Sequence, residues 1–211
     1  PARLPVSPTG LAENYRIRKG EVGRVAGLEA QALLLEPKDD LRYGHVLWAD
    51  IQTGLLLKSR TLDQHGAVIE QFSFSEVRIG GDVDGALLES RFETGEGWRT
   101  VNARGSRMAV EAAGWALEPA VPGYVLTSVM KRPLGRERGE AVHMVFSDGL
   151  AAISVFIEPT GDGSKTGLGP LSSGAINIFK RVLDGHLVTA LGEAPEVAVR
   201  RVGESIRPES R

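Results

Sequence analysis

The 211-residue chain contains no cysteine. That absence excludes thiol catalysis, disulfides and thiolate metal sites. It does not choose a compartment, because such a chain tolerates oxidising and reducing surroundings alike. Aromatic residues are scarce, at 6%, and no apolar run approaches the ~20 residues that a membrane-spanning helix needs. The formal net charge is only −2, so the basic excess of a nucleic-acid binder is missing too. The opening Pro1-Ala2-Arg3-Leu4-Pro5 has neither the basic start nor the apolar core of a signal peptide. A mature or truncated secreted protein would read the same way.

What is present is glycine, 26 residues of it, with 42% hydrophobic and 25% charged content. These proportions are ordinary for a folded chain. The length suits one large or two small domains, and the loops implied by so much glycine favour a β protein. Residues 1–10, rich in Pro and Ser, read as an extended arm. Strand character begins at 15–18, and short strands at 21–26 and 29–35 are expected to be broken by Gly20, Gly23 and Gly27.

The organising stretch is 43–76. Three strands, 43–49, 55–62 and 67–76, are separated by the turns Asp50-Ile51-Gln52-Thr53-Gly54 and Asp63-Gln64-His65-Gly66. Alternation places Leu55 and Leu57 on one face of the second strand, and Val68, Phe72 and Phe74 on one face of the third. Gln71, Ser73 and Ser75 take the other face, so the meander has an apolar and a polar side. Such an apolar side is most often core; a curved sheet can instead wrap a cavity for a lipid or peptide.

Beyond residue 76 the periodicity weakens, with one or two helical turns expected at 86–92 and a linker at 105–114. A strand at 124–132 leads into a basic loop. Asp148-Gly149 then joins two alternating apolar runs, predicting a two-residue hairpin with Met144 opposite Ile153, Val142 opposite Val155 and Phe146 opposite Ala151. Asp184-Gly185 predicts a second, with Val182 opposite Leu187 and Ile178 opposite Leu191. Ala198, Val199, Val202 and Ile206 recur at helical spacing after Pro195.

No catalytic or metal constellation emerges. His45, His65, His143 and His186 sit on different strands or turns, whereas metal ligands must converge. His143 and Ser147 share a strand face but stand four residues apart, and at ~3.3 Å per residue they are out of reach for a triad. Asp148 reads as the turn residue. The segment Gly161-Asp162-Gly163-Ser164-Lys165-Thr166 lacks the second glycine of a phosphate loop. Asp82-Val83-Asp84-Gly85 lacks the closing ligands of a calcium loop, and 20–27 does not spell a dinucleotide motif.

Several stretches together resemble one family. Gly23-Arg24-Val25-Ala26-Gly27, Leu41-Arg42-Tyr43-Gly44, Leu47-Trp48-Ala49-Asp50 and Glu70-Gln71-Phe72, then Pro122-Gly123-Tyr124 and Phe146-Ser147-Asp148-Gly149-Leu150, are similar to the sigma-E regulatory proteins RseB and MucB. The resemblance runs in order along nearly the whole chain. It implies a mainly β (α+β) protein: part of a LolA-like curved antiparallel half-barrel at 1–104, then a smaller antiparallel sheet domain with one C-terminal helix at 115–211. Family members carry roughly another half-domain and a signal peptide upstream, so the half-barrel is expected to be incomplete here.

The resemblance also implies a non-enzymatic periplasmic protein without cofactor or nucleic-acid partner. Such a protein binds the periplasmic part of a membrane anti-sigma factor of the RseA or MucA kind and shields it from proteolysis. Lipopolysaccharide or another acyl-chain lipid releases it. A periplasmic lipid or lipoprotein carrier is the alternative, and a homo-oligomer is compatible with either. On these expectations the lipid-facing residues are Leu55, Leu57, Val68, Phe72 and Phe74, and the partner-facing ones Lys131, Arg132, Arg136 and Arg138.

Overall fold

The computed structural model describes residues 8–89, 105–133, 139–160 and 168–209. The first element of the described residues is a short helix, α1 (Pro8–Asn14), which at 8–10 replaces the extended arm expected over 1–10; residues 1–7 lie outside the described residues. Isolated helices this short are unstable in water; tertiary contact holds this one, with Leu11 buried against Tyr15, Leu35 and Leu47. Five strands follow in one antiparallel sheet, in chain order: β1 (Tyr15–Val25), β2 (Leu28–Pro37), β3 (Gly44–Asp50), β4 (Leu56–Leu62) and β5 (Val68–Ser73).

β1 is continuous where breaks at Gly20 and Gly23 were expected. Gly20 lies within a register shift between Lys19 and Val22, a bulge that bends the strand without ending it. A Cβ there would come within 2.6 Å of Leu34 Cδ1, the free end of a side chain that would have to swing aside. The reversal falls instead at Ala26-Gly27, both at positive φ (50° and 81°), as a tight hairpin between right-twisted strands requires.

The meander has the predicted order and turns. Asp50 Oδ2 accepts from Thr53 N and Oγ1 (2.8 and 2.6 Å), and Asp63 Oδ1 accepts from His65 N and Ala67 N (2.9 and 2.8 Å). The register shifts between Trp48 and Ala49, and the adjacent leucines opposite enter different clusters, as alternation requires. Leu56 packs with Leu35 and Leu47, Leu57 with Ala30 and Val25. Beyond β5, a single 3₁₀ turn at Gly85–Leu88, capped by Asp84, stands where a helical turn was expected.

Among the described residues the second sheet has seven strands. β6 (Ser106–Arg107) pairs at one edge with β8 (Val125–Pro133). Inward lie β9 (Glu140–Ser147), β10 (Ala152–Pro159), β13 (His186–Gly192) and β12 (Ile176–Leu183), with β11 (Gly169–Ser173) at the far edge. β7 (Trp115–Leu117) and β14 (Ile206–Pro208) form a separate two-stranded ladder. Helix α2 (Glu196–Ser205) covers one sheet face, with Ala198, Val199, Val202 and the following Ile206 fully buried as predicted. Each of the larger side chains contributes about 1.5–3 kcal/mol by leaving water. The expected linker 105–114 contains β6, so Ser106 and Arg107 already belong to this sheet.

The two hairpins of this sheet predicted from Asp-Gly turns differ in outcome. At Asp184-Gly185 the register is the predicted one, Val182 opposite Leu187 and Ile178 opposite Leu191, and both turn residues have positive φ (47° and 71°). At Asp148-Gly149 the register is two residues off. Met144 pairs with Val155 and Phe146 with Ile153, leaving a four-residue loop from Asp148 to Ala151. A shift of two keeps every side chain on its face, so Met144, Phe146, Ile153 and Val155 are buried in either register. The longer loop is set by Asp148, whose Oδ1 accepts from Leu150 N and Ala151 N, both at 2.9 Å.

Candidate functional site

The longer loop carries Asp148 away from its own sheet and onto the first one. Its carboxylate meets Arg42 there: Nε lies 3.0 Å from Oδ2, and neither side chain is exposed at all. Arg42 also pairs with Asp39 and donates to the carbonyl of Pro122 at 2.8 Å. Its guanidinium lies 5.4 Å from the centre of the Tyr124 ring. Tyr15 O–H donates to Asp148 Oδ2 at 3.3 Å, and Tyr124 O–H to the carbonyl of Leu41 at 3.0 Å. Leu41 in turn is part of the core beneath α2, while Leu150 packs on the cluster of the first sheet. The two units thus share one buried polar seam with apolar contacts on both sides.

A charged pair without water is stable only when its remaining valences are filled. Here two carboxylates, a carbonyl and an aromatic face surround one guanidinium, whose Nε faces Asp148 as a close charge contact without hydrogen-bond alignment. Burial, reinforced by the charge of Asp148, pushes the phenols of both Tyr15 and Tyr124 well up from their ordinary value. They remain donors throughout the neutral range. Gly123 closes the arrangement at φ 76°, and a Cβ there would fall 2.0 Å from Arg42 Nη2. A second contact lies alongside, where Asn177 Nδ2 donates to Tyr43 Oη and to the carbonyl of Ala194 (2.9 and 2.8 Å). Both residues line a cleft of about 440 Å³ with Gln64 and Glu196.

Two imidazoles are withdrawn from water, His45 half-buried and His143 buried. His45, beside Tyr15 at 6.1 Å between ring centres, has an unbonded Nε2, and burial pulls its pKa down. His143 stacks on Phe156 (4.1 Å, planes 9° apart) and accepts a bond from Arg132 Nε at Nδ1 (2.9 Å). Burial, then the Arg132 charge, pulls its pKa from 6.5 to about 4. Below pH 6.5 the unfolded chain takes up protons that the folded chain refuses until about pH 4. Stability must therefore fall with acidification through that window. The urea midpoint is expected to drop across it, and His143→Asn to remove part of the slope; a midpoint flat with pH contradicts this.

The residues singled out for lipid binding are divided by the structure. Leu57 is fully buried, with Leu55 and Phe74 packed against its cluster. Val68 and Phe72 are 51% and 39% exposed, Phe72 in edge contact with Phe74 (5.0 Å). Of the basic residues, Lys131 pairs with Glu140 at 3.6 Å and Arg132 holds His143; Arg136 and Arg138 lie outside the described residues. Sequence reasoning missed the seam. Asp148 was legible only as a turn former, and no local pattern marks Arg42 or Tyr15 as its partners.

Comparison with known proteins decides the family. Residues 1–92 match the MucB/RseB N-terminal domain and residues 109–207 the MucB/RseB C-terminal domain. The chain belongs to the MucB/RseB family. It is 34% identical to the sigma factor AlgU regulatory protein MucB of Pseudomonas aeruginosa, over 96% of this chain and 64% of that protein. It is 26% identical to the sigma-E factor regulatory protein RseB of Haemophilus influenzae, over 98% of this chain and 64% of that one. The chain therefore spans just under two thirds of the length of these MucB and RseB relatives. Its fold matches the crystal structure of MucB in complex with MucA(peri), with a TM-score of 0.76 and 31% identity, covering 97% of this chain and 71% of that one. MucB alone gives 0.71 and 30%, over 96% and 66%. The mainly β expectation and the family resemblance both hold. These relatives are regulatory proteins by name, in keeping with a non-enzymatic reading.

Proposed function

We propose that this chain is a periplasmic regulator of an envelope-stress sigma factor, acting by binding the periplasmic part of a membrane anti-sigma factor. The observation that carries the reading is the likeness to MucB as solved with MucA(peri), which extends over 97% of this chain and through both units. Bound in this way, the chain would bury cleavable segments of its partner and slow their proteolysis. A lipid with acyl chains would release it by competing at the first sheet, where Phe72 is exposed beside Phe74 and Val68 is exposed at the other end of β5. Leu55 and Leu57 would join only if their cluster opened. The basic stretch with Lys131, Arg132, Arg136 and Arg138 would contribute charge to the partner contact.

The cognate anti-sigma factor's periplasmic domain, titrated into the purified chain, tests the reading. Saturable binding and slower cleavage of that domain by its site-1 protease are expected. Absence of binding overturns the proposal. The carrier alternative predicts the reverse outcome: acyl-chain lipid bound, and the anti-sigma domain ignored. Unchanged affinity of an Arg132→Ala/Arg136→Ala double variant would dispose of the basic stretch as a contact.

A further inference from the structure

The face of the first sheet that points away from the seam carries an unmatched set of charges. Its rows can be read from the register. Arg18, Leu34, Val46, Arg60 and Gln71 are successive partners across all five strands. Ala32, Trp48, Lys58 and Ser73 form the row beside it. On β1, Arg16 and Arg18 are answered by Glu36. On β4, Lys58 and Arg60 have no carboxylate partner among the described residues. They converge on the indole of Trp48, with Lys58 Nζ 4.7 Å and Arg60 Cζ 5.4 Å from its centre. Arg60 Nε also donates to Gln71 Oε1 at 2.7 Å, which holds its guanidinium toward β5.

β5 is an edge strand of this sheet among the described residues. Phe74 N donates to Leu57 O at 3.0 Å. In an antiparallel ladder, bonded and non-bonded pairs alternate. Gln71 and Ser73, opposite Arg60 and Lys58, are therefore non-bonded positions whose backbone N–H and C=O point outward, away from β4. Their side chains are small or already engaged, and they stand between the open edge and the two cations.

We propose that the outer edge of β5 takes up an extended acidic polypeptide segment as a sixth strand, with carboxylates at alternate positions opposite Gln71 and Ser73, neutralising Arg60 and Lys58. The inference rests on the anti-sigma-factor reading and places one contact of that partner. A strand added at ~4.8 Å spacing lies about two strands from β4, within reach of Glu or Asp meeting a long basic side chain. The residue between the two acids faces the other side of the sheet, as Phe72 does, and is apolar. Strand addition supplies affinity through the backbone, and the alternate side chains supply choice of partner. A bare anionic headgroup would satisfy the cations but leave the outward backbone groups unused, so the polypeptide is favoured.

The test uses the full chain and the periplasmic domain of its cognate anti-sigma factor. Lys58→Glu/Arg60→Glu is expected to weaken binding about ten-fold or more through like-charge juxtaposition. Ser73→Pro removes one outward N–H, leaves the Arg60–Gln71 bond in place, and is tolerated at an edge; it is expected to weaken binding too. Amide exchange at Gln71 and Ser73 is expected to slow in the wild-type complex. If the wild type binds while both variants bind equally well, or these amides stay unprotected, the strand-addition site is wrong and the regulatory reading stands. If the wild type does not bind, the regulatory reading falls and this inference with it. If the charge reversal abolishes binding to anionic phospholipid vesicles and spares the anti-sigma domain, the face serves a membrane and the proposal is overturned.

Discussion

Arg42→Met is expected to destabilise the folded chain by about 3–5 kcal/mol, the range for removing one partner of a buried ion pair. The cost does not come from lost attraction alone. Asp148 remains at zero exposure with its charge, and only the Tyr15 hydroxyl is left to answer Oδ2. Asp39 loses its partner as well, and the carbonyl of Pro122 its donor. Adding Asp148→Asn should return roughly half of the loss. The amide removes the orphaned charge, while its Oδ1 can still accept from Leu150 N and Ala151 N and keep the loop. Urea unfolding of the three proteins at neutral pH measures both effects. A single-variant cost below about 1 kcal/mol would mean that the pair behaves like a hydrated surface bridge.

Gly123→Ala should cost about 2–4 kcal/mol without deleting one atom of the seam. A left-handed backbone costs an L residue roughly 1–2 kcal/mol, and Gly123 has φ 76°. Overpacking adds about 1–3 kcal/mol, because the new methyl would strike Arg42 Nη2 at 2.0 Å and Asn14 Oδ1 at 2.6 Å. The end of a long side chain normally swings aside. This one is held by Asp39, Asp148 and Pro122 at once, so relief means breaking the seam. Gly27→Ala isolates the backbone part: φ is 81° there, yet nothing stands within 4 Å. The difference between the two variants in the same urea titration is the steric contribution, and equal costs would show that Arg42 yields freely.

What was legible in the sequence was local. Turn residues announced the meander and the Asp184-Gly185 register, and helical spacing the buried face of α2, because each is decided by neighbours in the chain. The Asp148-Gly149 hairpin shows the limit. Alternation has a period of two, so it assigns faces but is blind to a slip of two residues. The slip was set by the side chain of Asp148 binding its own loop, and that longer loop brought the carboxylate to Arg42. Helix α1 was invisible for a related reason, since Leu11 is held by residues of three different strands. The candidate surfaces were legible as residue types, but burial sorted them: Leu57 went inside, Val68 and Phe72 stayed out.

The seam also has a place in time. Tyr15 and Asp148 are separated by 133 positions in the chain, so their meeting closes one of the longest loops that this fold offers. Loops of that size are slow to close, whereas hairpins such as the one at Asp184-Gly185 form early. Interactions that arrive after the folding barrier act on the rate of coming apart. Substitutions at Arg42, Asp148 and Gly123 are therefore expected to speed unfolding more than they slow folding.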